Sequence, residues 1–177
     1  MNENISNIKN QLLVMAAQDG DVKAMDKLVS RWQKELWYYV FSLIGNRHAA
    51  WDVTQECWLN IIKSINKLND PMYFKAWAFR IATNKSIDWI KKKSKYQHKK
   101  LDSIELINDQ KENDLLVREL LQNLKNKSRI ILNLYYFEQF SITEISIVLN
   151  VPQGTVKSRL FKARQELKQL WDKYFNE

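Results

Sequence analysis

Four cations and no acid fall in the run KSRLFKAR, at Lys157, Arg159, Lys162 and Arg164. Such a density suits phosphate oxygens by charge. Lysine or arginine also matches guanine O6/N7 by donor geometry, and the ring of Phe161 could cover a thymine methyl. A second set, Asp52, Gln55 and Glu56, is spaced i, i+3, i+4, which puts all three on one side of a helix. Such a face could meet a cationic partner, or simply be a solvated first turn whose acids suit the helix dipole. Enzyme chemistry has little support. His48 and His98 stand in unrelated polar contexts, and there is no cysteine pair, HExxH or Gly-rich phosphate loop. No catalytic residue, metal ligand or cofactor is expected.

The basic run must be held by two helices. Ser141 can cap the first, with Glu144 at capping-box spacing and Ile142, Ile145 and Leu149 on one face. Asn150 tolerates the left-handed conformation that ends a helix, and Pro152 prevents its resumption. A second helix opens at Gln153–Gly154 and runs past Leu167, with Val156, Leu160, Ala163, Leu167 and Leu170 inward. A short helix, a sharp turn and a longer basic helix form the helix-turn-helix arrangement, whose second helix enters the major groove. A solvated basic face shows the same pattern, so the spacing alone leaves both readings open.

Upstream, Ile5, Ile8, Leu12, Met15 and Ala16 predict an amphipathic helix over 5–18. Asp21 can cap the next, which carries Met25, Leu28, Val29, Trp32, Leu36, Tyr39, Val40 and Leu43 and stops at Gly45. A third opens at Asn46–Arg47 with Val53, Cys57, Leu59, Ile61, Ile62 and Ile65. After a break at Asn69-Asp70-Pro71, a fourth covers about 73–94, with Phe74, Trp77, Ala78, Ile81 and Ile87 inward. The charge then switches. Lys91–Lys100 holds six lysines, and Asp102–Asp114 five acids against Lys111. This is the natural place for a flexible linker. Leu115–Leu124 and Lys127–Phe137 read as two more helices. The fold class expected is all-α, with two small helical domains at 1–94 and 115–177 joined by a linker at 95–114.

Composition sets outer bounds. A formal charge of +8 over 177 residues favours an anionic partner. Three Gly and two Pro argue against a turn-rich β fold. The single cysteine, Cys57, allows no internal disulfide, which fits a reducing cytoplasm. No apolar run approaches the roughly 20 residues of a membrane span, and the first ten residues lack signal-peptide design. A cytoplasmic protein without membrane insertion is expected.

Three blocks then carry a resemblance. GTVKSRLFKAR behind EIS-x-x-LNVP resembles region 4 of the extracytoplasmic-function (ECF) sigma factors of bacteria. DVTQECWLNIIKSI at Asp52–Ile65 resembles their region 2.2. FKAWAFRIATNKSIDWIKKK at Phe74–Lys93 resembles regions 2.3 and 2.4, matching at Phe74, Ala76, Trp77, Arg80, Ile81, Ala82, Asn84 and Asp88. The blocks stand in family order and the likeness runs from about Asp21 to Trp171. Departures are mild, with Ser146 where Ala is usual, Asn150 where Gly is usual and Lys125 where Pro is usual.

The resemblance implies a DNA-dependent transcription initiation factor that binds core RNA polymerase through its β′ clamp helices and β flap, and binds promoter DNA. Asp52, Gln55, Glu56 and Trp58 would form the polymerase face. The loop with Asn69, Asp70, Met72 and Tyr73 would receive a base flipped from the −10 element, a step costing a few kcal/mol. Arg80, Asn84, Lys85, Asp88 and Lys91 would follow the melted strand. At the −35 element, Lys157, Ser158, Phe161 and Lys162 would read bases, while Thr155, Arg159 and Arg164 would hold phosphates or pack. The acidic stretch resembles a linker that threads the RNA-exit channel, and a plain tether explains it almost as well. The family leaves room for an anti-sigma factor or a recruiting protein. Two other classes stay in view: a dimeric helix-turn-helix regulator that does not replace sigma, against which the N-terminal blocks speak, and a helical adaptor for an acidic partner that binds no DNA.

Overall fold

A computed structural model describes residues 2–96 and 120–176 of the chain, with side chains placed over 6–93 and 120–174. Every regular element among them is helical. The linker expected at 95–114, its acidic run and the start of the helix expected at Leu115 lie almost wholly outside the described residues.

Helix ends follow local chemistry. After α1 (Asn2–Gln18), Asp21 Oδ1 accepts the backbone N–H of Lys23 at 2.8 Å and of Ala24 at 3.2 Å, starting α2 (Val22–Ile44). Gly45 ends α2 at φ 73°, a left-handed position that glycine occupies without a Cβ penalty. Asn46 Oδ1 accepts from Ala49 N at 2.8 Å to open α3 (Arg47–Ser64). Two short 3₁₀ turns, Ile65–Lys67 and Pro71–Tyr73, lead into α4 (Phe74–Tyr96).

Residues 120–122 are helical, within the helix expected over Leu115–Leu124, and precede α5 (Asn126–Leu132). The helix expected as far as Phe137 changes register there. Asn133–Phe137 is a π turn in which Glu138 N–H reaches back to the Asn133 carbonyl, and Gln139 at φ 56° ends it. Then come α6 (Ile142–Leu149) and α7 (Gln153–Asn176). The expected capping box is present: Ser141 Oγ accepts Glu144 N at 3.2 Å, and Ser141 N donates to Glu144 Oε2 at 2.9 Å. Asn150 takes the left-handed conformation at φ 53°.

α1 to α4 pack in sequence around Leu28, Leu36, Tyr39, Leu43, Cys57, Ile61, Phe74 and Phe79, while α5, α6 and α7 close on Ile131, Leu134, Ile145, Val156, Leu160 and Ala163. α6 also lies against α4, and α5 touches the end of α2.

Three expected stripes are turned. On α1, Ile8, Leu12 and Met15 are exposed, and Asn10, Val14 and Ala17 are buried. Polar anchors dictate this. Trp32 Nε1 donates to Asn10 Oδ1 at 2.8 Å, and Gln18 Nε2 donates to the carbonyls of Ile65 and Leu68 at 2.9 and 2.7 Å. On α3, Leu59 and Ile62 face solvent, because the inward stripe is Val53, Thr54, Cys57, Trp58 and Ile61. On α4, Phe79 and Ala82 are buried, whereas Trp77, Ile81 and Ile87 are only half-buried.

Two outcomes follow. Ser141→Ala should destabilise the C-terminal helices by about 1 kcal/mol in denaturant unfolding, because a cap is lost. Burial pushes the Cys57 thiol up to about 12, against about 8.5 in an unfolded chain. Its contribution is therefore complete below the unfolded value and is lost as pH rises towards the folded one. Between pH 8 and 10 the protein should lose about 1–2 kcal/mol more stability than its Cys57→Ala variant.

Candidate nucleic-acid and protein-docking interfaces

α7 divides as its pattern demands. Val156, Leu160 and Ala163 are buried, Thr155, Leu167 and Leu170 are half-buried, and Lys157, Ser158, Arg159, Phe161, Lys162 and Arg164 are exposed. Phe161 is 62% exposed, a large apolar ring offered to solvent in the middle of a cationic face. Ser158 Oγ donates to the Thr155 carbonyl at 3.1 Å, so its lone pairs remain available as acceptors. The first acid on the helix, Glu166, turns to the half-open side and accepts from Ser128 Oγ at 2.6 Å. That leaves the exposed face of the first half of α7 positive. Arg164 differs from the others. Its Nε donates to Tyr136 Oη at 2.8 Å and its guanidinium lies 5.1 Å from the Tyr135 ring centroid, so it braces the π turn against α7. Gln153 Nε2 donates to Thr143 Oγ1 at 3.2 Å, tying the start of α7 to α6.

The acidic set lies together on the outside of α3: Asp52, Gln55 and Glu56 are all exposed. Trp58, expected beside them, points the other way and is 4% exposed. Its neighbour Leu59 and, one turn on, Ile62 stand on the same side as Gln55 and Glu56. The available surface therefore combines carboxylates with exposed aliphatic side chains. A helical count from Gln55 reaches Leu59 at i+4 and Ile62 at i+7, but also the buried Trp58 at i+3, so spacing alone does not separate the exposed residues from the buried one.

At the loop, Asn69, Asp70 and Met72 are exposed and Tyr73 is half-buried. Asp70 Oδ1 accepts Met72 N at 2.9 Å, so this carboxylate already fixes the turn through Pro71. Arg80, Asn84, Asp88 and Lys91 line one side of α4 at spacings of four, four and three. Lys85 leaves that line. Its Nζ meets Glu56 Oε2 at 3.0 Å, joining α4 to α3, and the pair edges a cleft of about 430 Å³ that also includes Asp88 and Trp89. The carboxylate of the expected docking face and a cation of the expected DNA face are thus partners in the free chain. Pairs this exposed contribute about 0–1 kcal/mol and exchange readily for other partners.

No group of three or more metal-ligating side chains occurs among the described residues, nor any helix long and apolar enough to cross a membrane.

Known proteins share this arrangement. The family profile described as Sigma-70 region 2 matches residues 28–96, and that described as Sigma-70, region 4 matches residues 114–167. The chain is 28% identical to the ECF RNA polymerase sigma factor SigW of Bacillus subtilis (strain 168), over 90% of this chain and 95% of that protein. It is 26% identical to the ECF RNA polymerase sigma-E factor of Escherichia coli (strain K12), over 90% and 93%. Among solved structures, CnrH in complex with the cytosolic domain of CnrY superimposes with a TM-score of 0.71 at 25% identity, covering 93% of this chain and 97% of that one. The sigma factor RpoE from Bartonella quintana, solved with the anti-sigma factor NepR, shares the fold with a TM-score of 0.73 at 20% identity, over 85% and 98%.

The opposite orientations of Trp58 and Leu59 are directly measurable. Trp58→Ala should cost about 3–5 kcal/mol of stability by emptying the core, whereas Leu59→Ala should leave the unfolding midpoint nearly unchanged.

Proposed function

This chain belongs to the sigma-70 family, in its extracytoplasmic-function branch, and from that premise we propose that it joins core RNA polymerase and directs promoter-specific transcription initiation. One observation carries the reading: the acidic-aliphatic face of α3, the polar line of α4 and the cationic face of α7 are three separate open surfaces on one helical frame. A dimeric regulator needs only the third. In this reading residues 1–94 dock on the polymerase and open the −10 element, 95–114 connect, and 115–177 bind the −35 element.

The division of labour follows from the side chains. Asp52, Gln55 and Glu56 offer acceptors to cationic groups of the β′ clamp helices, with Leu59 and Ile62 as apolar neighbours. Trp58 positions that face from behind. Asn69 and the rim formed by Met72 and Tyr73 receive a flipped base, while Arg80, Asn84, Asp88 and Lys91 follow the strand. Lys157, Ser158, Phe161 and Lys162 read base edges, and Thr155, Arg159 and Arg164 position the helix. The chain carries no covalent chemistry, which belongs to the polymerase, and it acts in the cytoplasm. Because CnrH was solved with the cytosolic domain of CnrY and RpoE with the anti-sigma factor NepR, an anti-sigma partner belongs to the reading as well.

Glu56→Lys should reduce capture of core polymerase at least tenfold with helix content unchanged. Lys85→Ala, which breaks the same ion pair but keeps the acidic face, should not. Equal capture by both variants and the parent protein would remove α3 from the docking surface. In competition against singly substituted −35 duplexes, Lys157→Ala and Lys162→Ala should each relax preference at one or two positions, a discrimination of about 1–3 kcal/mol per contact. Uniform weakening across all duplexes would make both lysines phosphate holders.

A further inference from the structure

Arg164 is tied to a part of the chain that precedes the helix-turn-helix. Its Nε donates to Tyr136 Oη at 2.8 Å, and its guanidinium lies 5.1 Å from the Tyr135 ring centroid and 5.6 Å from that of Tyr136. The two rings meet edge to face, 5.0 Å apart at 78°. Both belong to the π turn Asn133–Phe137, and turns of this kind occur frequently at functional sites. Two adjacent tyrosines thus fix the position of one arginine.

Donors remain. Among the described residues no acceptor takes the Nη1 or Nη2 hydrogens of Arg164, no carboxylate pairs with it, and Tyr136 Oη accepts its hydrogen bond without giving one. Both side chains are exposed, Tyr136 to 51%. A brace between α7 and the π turn needs the packed rings and the Nε hydrogen bond, and has no use for the terminal N–H groups or the spare O–H. That O–H is also a stronger donor than a free phenol, because its oxygen is already bonded to a cation. The matching ligand is an anion with several acceptor oxygens. Position says which one. Arg164 stands at i+7 from Lys157 and i+3 from Phe161, at the edge of the cationic face of α7. A recognition helix reads bases with its N-terminal residues. A helix about 10–12 Å across also fills a major groove about 12 Å wide, so one turn further on its flank runs beside the DNA backbone.

We infer that Tyr136 and Arg164 together clamp one backbone phosphate at the edge of the −35 element, Arg164 supplying the charge and Tyr136 a second donor. The inference rests on the sigma-factor reading for the element bound, but not for phosphate as the ligand. An arginine already held by one hydrogen bond and two rings loses little freedom when the phosphate arrives, unlike an untethered lysine. The clamp carries no base information of its own. It sets the register in which Lys157, Ser158 and Phe161 meet the base edges.

Fluorescence anisotropy of the full chain over a salt series tests this, on a short duplex carrying the −35 element of a mapped start site and on an unrelated duplex of equal length. Arg164→Gln should flatten the dependence of log affinity on log salt by about one unit on both duplexes. Tyr136→Phe removes only an oxygen; it should lower affinity about tenfold at fixed salt and leave the slope unchanged. Neither variant should alter the preference between the two duplexes. A parent-like slope in Arg164→Gln or parent-like affinity in Tyr136→Phe, whatever happens to the unfolding midpoint, would reduce the pair to a structural brace and overturn the inference. So would a changed preference, which would make these residues base readers, or a parent chain that binds neither duplex. Should core polymerase with this chain give no discrete start sites, the sigma-factor reading fails, and the unrelated duplex still decides the clamp.

Discussion

An α-helix is only about 10–12 Å across, so a helix that packs on one side has a limited arc left for recognition. Everything this protein does depends on how that arc is divided. α7 gives Val156, Leu160 and Ala163 to the core and keeps Lys157, Ser158, Phe161 and Lys162 outside. α3 commits Val53, Cys57, Trp58 and Ile61 inward, and Asp52, Gln55, Leu59 and Ile62 are open as a consequence. α4 carries the heaviest load. One arc holds Phe74, Ala78 and Ala82 in the N-terminal core, another presents Phe79 and Lys75 to the C-terminal helices, and the remaining arc bears Arg80, Asn84, Asp88 and Lys91. Rotating α4 by one residue would exchange these duties.

Charge is distributed with the same economy. The net +8 does not lie evenly on the described surface. The exposed side of α7 collects Lys157, Arg159 and Lys162, and Glu166 is drawn aside by Ser128. The acids of α3 form a patch of opposite sign, so a polyanion and a basic protein surface are steered to different sides of one small molecule. Glu56 and Lys85 sit where these fields meet, and their exposed pair is easily replaced by stronger partners.

Local signals were read with little error. Asp21, Gly45, Asn46, Ser141, Glu144 and Asn150 occupy the cap positions their side chains suit, because a cap is decided within four residues of chain. What sequence could not display was choice between competing stripes. On α1, Leu13, Val14 and Ala17 are as apolar as Ile8, Leu12 and Met15, and the distant partners of Asn10 and Gln18 decide which side turns in. Trp58 and Leu59 are adjacent and apolar, so composition could not rank them. The expected DNA residue Lys85 proved to be paired with Glu56, and Arg164 with Tyr136. The contacts between the N-terminal and C-terminal helices were invisible for a related reason: Lys75 meets Glu138 across 63 positions and Arg129 meets Leu43 across 86, separations at which no periodicity operates.

The most direct measurement is in vitro transcription with purified core RNA polymerase on a library of genomic fragments, with each start site mapped. Core supplemented with this protein should begin RNA at discrete positions that share sequence elements near −10 and −35, and core alone should not. Transcripts that arise equally without the protein, or start sites with no shared upstream sequence, would contradict its role as the specificity factor of the polymerase.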